Sequence, residues 1–373
     1  MPDVVLVGEH LSQPTYTCLQ TIGEGAGGVC RRGRHEVFGT DIVQKTISLL
    51  GVPDGIAHEP RLLESAEHPH IIKVREAQWD PDPTLAGLKA VTFVCPYYEG
   101  GSVLDALQEG HVFPIAHVVE AARNVLDALA YLHQQRGYLH RDVKPGNILL
   151  DPGRTGGCVA DLGSAAQIDA DGRTENRGGT PLYLDPAAQV TGSMEVRSDL
   201  YAVGATLTEM LRGRYPYESI EMDSVSGRLS QGKRALPDSW YELPPEVPDP
   251  LRRFIRSLCQ PDPEKRPGSA EATLRKLNQL QVLPWARVAG DGLIGRWTGT
   301  WPPSGPFTKQ REYQVVADVE ESGKRTGQVK VTVRQRKTGS EWRTIRDLCC
   351  YLDPGDAKAL ARVFRAVERT AQR

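Results

Sequence analysis

Two periods of hydrophobicity run along the chain. Between residues 40 and 48, Ile42, Gln44 and Thr46 alternate with Val43, Lys45 and Ile47, which is the period of a strand. Beyond residue 114 the period lengthens. Val118, Ala122, Val125, Ala128, Leu129 and Leu132 recur at helical spacing, and so do Leu251, Phe254, Ile255 and Leu258. The Pro-rich stretch 236–250 reads as a surface connection between helices. Alternation returns late in the chain, in REYQVVADVE and GQVKVTVRQRK. EWRTIRDLCCYL is expected to add another strand. Asp353-Pro354 is expected to start a last helix, with Ala357, Leu360, Val363, Phe364 and Val367 as its apolar stripe. The pattern predicts short strands with one helix, then a mostly helical region, then a small antiparallel sheet covered by a C-terminal helix.

Length makes this more than one domain: 373 residues exceed one ordinary core. The net charge of −2 is an average over two unlike parts. Residues 291–373 carry 16 Lys+Arg against 10 Asp+Glu, a net of +6, which leaves −8 on residues 1–290. Such a step suggests domains with different partners. No apolar run approaches the roughly 20 residues that cross a bilayer. The N-terminal MPDVVLVGEH lacks a basic flank, so no secretory leader is expected. Seven cysteines, odd in number and without a CxxC, read as reduced thiols of a cytoplasmic protein. Strand packing is the expected use of Cys349–Cys350.

The chemistry concentrates in LHRDVKPGNILL, residues 139–150. Asp142 and Asn147 lie five apart with Lys144 between them. Phosphoryl transfer needs a carboxylate to orient a hydroxyl and take its proton, a cation near the moving phosphate, and an amide oxygen for a metal ion. Ile148, Leu149 and Leu150 would anchor that charge to a core. Upstream, Gly23, Gly25 and Gly28 have the GxGxxG spacing that lets backbone amides close over phosphates.

Taken together these motifs resemble the bacterial-type (eukaryotic-like) Ser/Thr protein kinases, over roughly residues 14–283. HRDVKPGN matches the family's catalytic loop, and the other motifs follow in order. The resemblance implies a two-lobed α+β fold, with a β-rich N-lobe over 14–95 and a helical C-lobe over 96–283. Before it would lie an N-terminal extension (1–13), and after it a linker (284–295) and a small sheet-plus-helix domain (296–373). It implies a nucleotide site of Gly23, Gly25, Gly28, Val43, Lys45, Pro96, Tyr98 and Leu149. Cys95 would be the gatekeeper, with the Pro96 carbonyl and the Tyr98 amide toward adenine. In the family pattern Val comes two residues after the third Gly; here that place is Cys30, with Val29 one early. Glu59, in a helix made awkward by Pro60, would pair with Lys45. Asp142 would be the catalytic base, Lys144 would balance charge, and Thr180 would hydrogen-bond both. Asn147 and Asp161, the latter in DLG in place of DFG, would hold Mg²⁺. Asp199 would brace the catalytic loop. ATP and Mg²⁺ are the implied cofactors, and protein Ser/Thr hydroxyls the acceptors.

The sequence departs from the family at A-P-E, which is Asp185-Pro186-Ala187. Arg266 loses its usual Glu there, and Asp185 is the candidate substitute. Autophosphorylation of Thr174, with Arg141 receiving the phosphate, is a further expectation; the other family position, four before Thr180, is Asn176. Two alternatives stay open. A pseudokinase scaffold draws support from Ala187. A small-molecule kinase of the same fold is disfavoured by Gly-Thr-Pro and Lys144. In the last domain, Trp297, Trp301, Arg334, Arg336, Lys337, Trp342, Arg343 and Arg346 mix aromatics with cations, as a single-stranded nucleic-acid surface would. The strand–strand–helix order resembles positive-cofactor-type coactivators that bind single-stranded DNA. The other reading makes the tryptophans core and the domain a protein-docking module.

Overall fold

The computed structural model describes residues 16–25, 28–48, 58–79, 90–301 and 310–372. The expected extension 1–13 lies outside them. The chain divides into two compact units.

The first unit is a five-stranded antiparallel sheet with one helix. Its strands are β1 (Tyr16–Gly25), β2 (Gly28–His35), β3 (Thr40–Ser48), β4 (Glu76–Trp79) and β5 (Ala90–Pro96), ordered β1-β2-β3-β5-β4, and its helix is α1 (His58–Ser65). The alternation around Lys45 is the pleat of β3. Cys30 of β2 and Phe93 of β5 both stand opposite Lys45, so the three share a face. Cys30, not Val29, therefore flanks the lysine. Gly28 is a steric requirement: its φ is 111°, and a Cβ there would come within 2.3 Å of the Thr46 carbonyl oxygen.

The second unit begins with α2 (Val103–Gln108) and α3 (Ile115–Tyr131). The short pairs β6 (Tyr138–Leu139) with β9 (Ala166–Gln167), β7 (Ile148–Leu150) with β8 (Gly157–Val159), and β10 (Arg173–Glu175) with β11 (Ser193–Glu195) follow. Its other helices are α4 (Pro186–Thr191), α5 (Val196–Arg212), α6 (Met222–Ser230), α7 (Asp249–Leu258) and α8 (Ala270–Asn278). The expected stripes of α3 and α7 are buried throughout. Helix α5 is the axis of this core, buried at every position from Ser198 to Met210. Gly204 lets α7 come close, since a Cβ there would sit 2.6 Å from the Leu258 Cβ.

The chain then builds one sheet from β12 (Ala286–Asp291), β13 (Ile294–Trp301), β14 (Arg311–Val319), β15 (Val329–Lys337), β16 (Arg343–Thr344) and β17 (Cys350–Leu352), with α9 (Ala357–Ala371) on its core face. Two expectations change here, and one open alternative is decided for Trp297. Residues 284–295, read as a linker, hold β12, and Leu283 and Trp285 are buried. The backbone of Trp285 accepts the amide of Ile115, and its ring meets Phe364 of α9 edge-on at 5.0 Å. Helix α9 begins later than Asp353-Pro354, because the Asp356 side chain caps it by accepting the Ala359 amide at 2.8 Å. Trp297 is fully buried against Phe364, which for this residue favours the core reading of the tryptophans over the cation-and-aromatic surface. Arg336 is tied to Glu312 and lies over the Trp342 ring, whereas Arg334, Lys337, Arg343 and Arg346 are exposed.

Candidate active site

The loop that carries Asp142 is held from below by a buried carboxylate. Asp199, in the first turn of α5 and 1% exposed, accepts the amides of His140 at 2.9 Å and Arg141 at 2.8 Å, and pairs with His133 at 2.8 Å. Burial works against its charge, yet the His133 bond and the loop amides hold its carboxyl below the ordinary value. These bonds offset the cost of Arg141 at a φ of 68°, a left-handed conformation that non-glycine residues rarely take. His140 links the loop to the following strand. Its Nδ1 accepts the Asp142 amide at 3.3 Å and its Nε2 faces the Ala160 carbonyl at 3.2 Å, which assigns the proton to Nε2.

Above that brace the expected polar groups converge. The Asp142 carboxylate accepts the Thr180 amide at 3.1 Å and hydroxyl at 2.9 Å on Oδ1, and the Lys144 ammonium at 2.6 Å on Oδ2. Lys144 also donates to the Thr180 hydroxyl at 2.9 Å. Asn147 spends its NH₂ group on the Asp142 carbonyl at 2.8 Å and Oδ2 at 3.2 Å, so the amide oxygen is its remaining acceptor. A fixed carboxylate, a cation and a hard oxygen are what phosphoryl transfer with a metal ion uses.

In the first unit Lys45 bridges two carboxylates. Its ammonium lies 2.8 and 3.0 Å from the Glu59 oxygens and 2.8 Å from Asp161 Oδ1. Pro60 does not prevent this, because it sits in the first turn of α1, where its missing amide interrupts no intrahelical bond. Burial opposes the Lys45 charge, but Glu59 and Asp161 outweigh it and raise its pKa. Burial, with the Asp161 charge added and Lys45 opposing, pushes Glu59 up to about 7. Asp161 has a φ of 61°, a second strained residue in the candidate site.

A model of the protein kinase domain matches residues 16–277. The chain belongs to the protein kinase family. It is 26% identical over 272 residues to mitogen-activated protein kinase kinase 2 of Arabidopsis thaliana, covering 70% of this chain and 72% of that protein. With the mitogen-activated protein kinase kinase SIPKK of Nicotiana tabacum it shares 28% over 321 residues, 83% of this chain and 85% of the other. With the serine/threonine-protein kinase ULK3 of Xenopus laevis it shares 27% over 261 residues, 69% of this chain and 53% of the other. The protein is an ATP-dependent protein Ser/Thr kinase, and protein kinases use ATP with Mg²⁺. Among the described residues no helix is long and apolar enough to cross a membrane.

The remaining candidate residues of this kinase fall as follows. Gly23 and Gly25 end β1 and Gly28 opens β2. Val43 is on the Lys45 face of β3, opposite Cys95 of β5. Pro96 ends β5, Tyr98 accepts the Gly101 amide through its carbonyl, and Leu149 is half-buried in β7.

The break in A-P-E is repaired two residues earlier. Asp185 receives both terminal nitrogens of Arg266, at 2.7 and 2.6 Å, with both side chains essentially unexposed. The same carboxylate accepts the Ser198 hydroxyl at 2.8 Å and caps α4 through the Ala187 amide at 2.9 Å. Arg266 fills its other donors with the carbonyls of Gln260, Pro261 and Arg197. Every charge is paired and hydrogen-bonded, which burial demands.

Thr174 differs from expectation. It lies in β10, 7% exposed, and its hydroxyl has no hydrogen-bond partner. Arg141 is spent instead on the carbonyls of Ser164 at 2.5 Å and Glu175 at 2.8 Å.

Two outcomes follow. Asp185→Ala leaves Arg266 as an uncompensated buried charge and should cost about 3–5 kcal/mol in denaturant unfolding. Adding Ala187→Glu should recover part of that loss; no recovery would mean the pocket accepts only the Asp185 geometry. Glu59 binds its proton more readily folded, at about 7, than at its ordinary 4.5. The folded state therefore holds more protons across that window, and stability falls as pH rises through it. Relative to Glu59→Gln, the nucleotide-free wild type should lose stability between those two pH values; parallel curves would contradict the assignment.

Proposed function

We propose that this kinase transfers the ATP γ-phosphate to protein Ser or Thr hydroxyls with Asp142, Lys144, Lys45, Glu59 and Thr180 as its catalytic set. The observation that carries the reading is the Asp142 carboxylate, fixed by Thr180, Lys144 and Asn147 at once. Asp142 receives the proton of the acceptor hydroxyl, and Lys144 offsets charge on the transferred group. Lys45, oriented by Glu59, holds the nucleotide phosphates under the glycine loop of Gly23, Gly25 and Gly28. Val43, Leu149 and the backbone of Pro96 and Tyr98 take the base. Asn147 and Asp161 offer hard oxygens, the donor type Mg²⁺ prefers; the ion, when bound, neutralises phosphate charge.

The proposal places the kinase part at 14–283 and the accessory domain at 296–373, with β12 joining the accessory sheet. It stops at the Ser/Thr protein kinase level. The bacterial-type refinement rests on sequence resemblance, and the relatives named above come from plants and a frog. Autophosphorylation belongs to the reading, with Thr174 a poor acceptor while it stays in β10. Cytoplasmic residence draws support from the free thiols at Cys30, Cys158, Cys259, Cys349 and Cys350 among the described residues. The accessory domain is read as a docking module for a protein or a single-stranded nucleic acid. Its support is the exposed set Arg334, Lys337, Arg343 and Arg346, and the nucleic-acid case would carry the steeper salt dependence.

Asp142→Asn keeps the shape of the side chain and removes the base. With Mg-ATP and a Ser/Thr peptide it should lower kcat about 10²–10⁴-fold. Turnover at the wild-type rate would remove Asp142 from the mechanism.

A further inference from the structure

The segment that carries Thr180 to Asp142 contains two consecutive glycines, Gly178 at a φ of 92° and Gly179 at 159°. Glycines confer freedom, and a free segment would not hold a threonine against a carboxylate. Something must fix the chain just before them. Asn176 is the residue in position. Its side-chain nitrogen donates to the Ala188 carbonyl of α4 at 3.1 Å, and its side-chain oxygen accepts the Gly178 amide at 3.0 Å. Its own amide donates to the Gly192 carbonyl at the end of α4 at 2.9 Å. One side chain therefore ties the glycine pair to the helix that Asp185 anchors to Arg266. Upstream, Arg141 closes the other end by holding the Ser164 and Glu175 carbonyls. Every contact in this set is made by the unmodified chain. Between Ser164 and Thr180 the only hydroxyl side chain is Thr174, which is buried.

We propose that Asn176 is a positioning residue for phosphoryl transfer, and that with Arg141 it sets the Thr180–Asp142 contact without phosphorylation of the segment. The inference rests on the kinase reading above and adds how the acceptor side of that site is held. The hydrogen bonds of Asn176 go to Ala188, Gly178 and Gly192, and those of Lys45 to Glu59 and Asp161. Loss of Asn176 therefore weakens use of the peptide and leaves use of the nucleotide alone.

The test uses the full chain, purified, treated with a phosphatase and shown to be phosphate-free by mass spectrometry. Wild type in that state should keep its turnover with Mg-ATP and a Ser/Thr peptide. Asn176→Ala should lose about tenfold in kcat/KM for the peptide, the worth of one or two hydrogen bonds, with KM for ATP unchanged. Asn176→Asp retains the acceptor for Gly178 and should recover part of the loss. A phosphate-free wild type that regains turnover only when rephosphorylated within residues 164–180 would overturn the proposal. So would an Asn176→Ala variant with unchanged peptide kcat/KM, or one whose KM for ATP rises in step. If Asn176→Ala does not fold, the phosphatase arm decides alone. A wild type inactive in both its phosphorylated and phosphate-free forms would instead count against the kinase reading.

Discussion

One buried carboxylate sets the geometry on which the site depends. Asp199 sits inside the second unit on a helix that has almost no exposed face, and it spends its oxygens on two successive backbone amides of the catalytic loop and on His133. A carboxylate in that environment is tolerated only when hydrogen bonds replace the water it has lost. Here the replacement donors are the loop itself. The loop therefore has little freedom to move while Asp199 stays charged, and the left-handed turn at Arg141 is carried by the same bonds. Asp142 inherits its position from this arrangement.

The same principle recurs at the far end of the segment. Asp185 and Arg266 form a bidentate pair with almost no exposure, and each remaining polar atom reaches a hydroxyl, an amide or a carbonyl. Such a pair adds less net stability than its Coulomb energy suggests, because both ions must be dehydrated. Its value lies in specificity of position, since neither partner can be displaced without leaving a bare charge behind. Two buried polar centres, one beneath the catalytic loop and one beneath α4, thus bracket Thr180.

Much of this was legible in the sequence, and the reasons differ by residue. The stripes of α3 and α7 were readable because one-sided burial leaves a period of about 3.6. The Lys45–Glu59 pair, the Thr180 contact with Asp142 and Lys144, and Asp199 beneath the loop backbone were readable from the family's motif order, whereas the bonds of Asp161 to Lys45, Asn147 to Asp142 and His133 to Asp199 were not. The partner of Arg266 was legible only as a candidate, because the Asp185 contact depends on how that residue turns at the cap of α4, a three-dimensional fact without a motif. The burial of Thr174 follows from its pairing in β10 with β11, and three residues are too short to show alternation. For Trp297 the sequence left a surface and a core reading open, and the pleat of β13 places it in the core against Phe364. The strand in the expected linker was hidden by its glycines, which serve the β12–β13 turn at Gly290 and Gly292.

The most direct measurement is the steady-state kinetics of Asp199→Asn, an isosteric change that removes the charge and one acceptor at the base of the loop. Two weakened charge-assisted bonds predict a fall in kcat on the order of a hundredfold. KM for ATP should stay near the wild-type value and unfolding should remain cooperative. A folded Asp199→Asn protein that turns over like wild type would show that the catalytic loop holds its shape without this carboxylate.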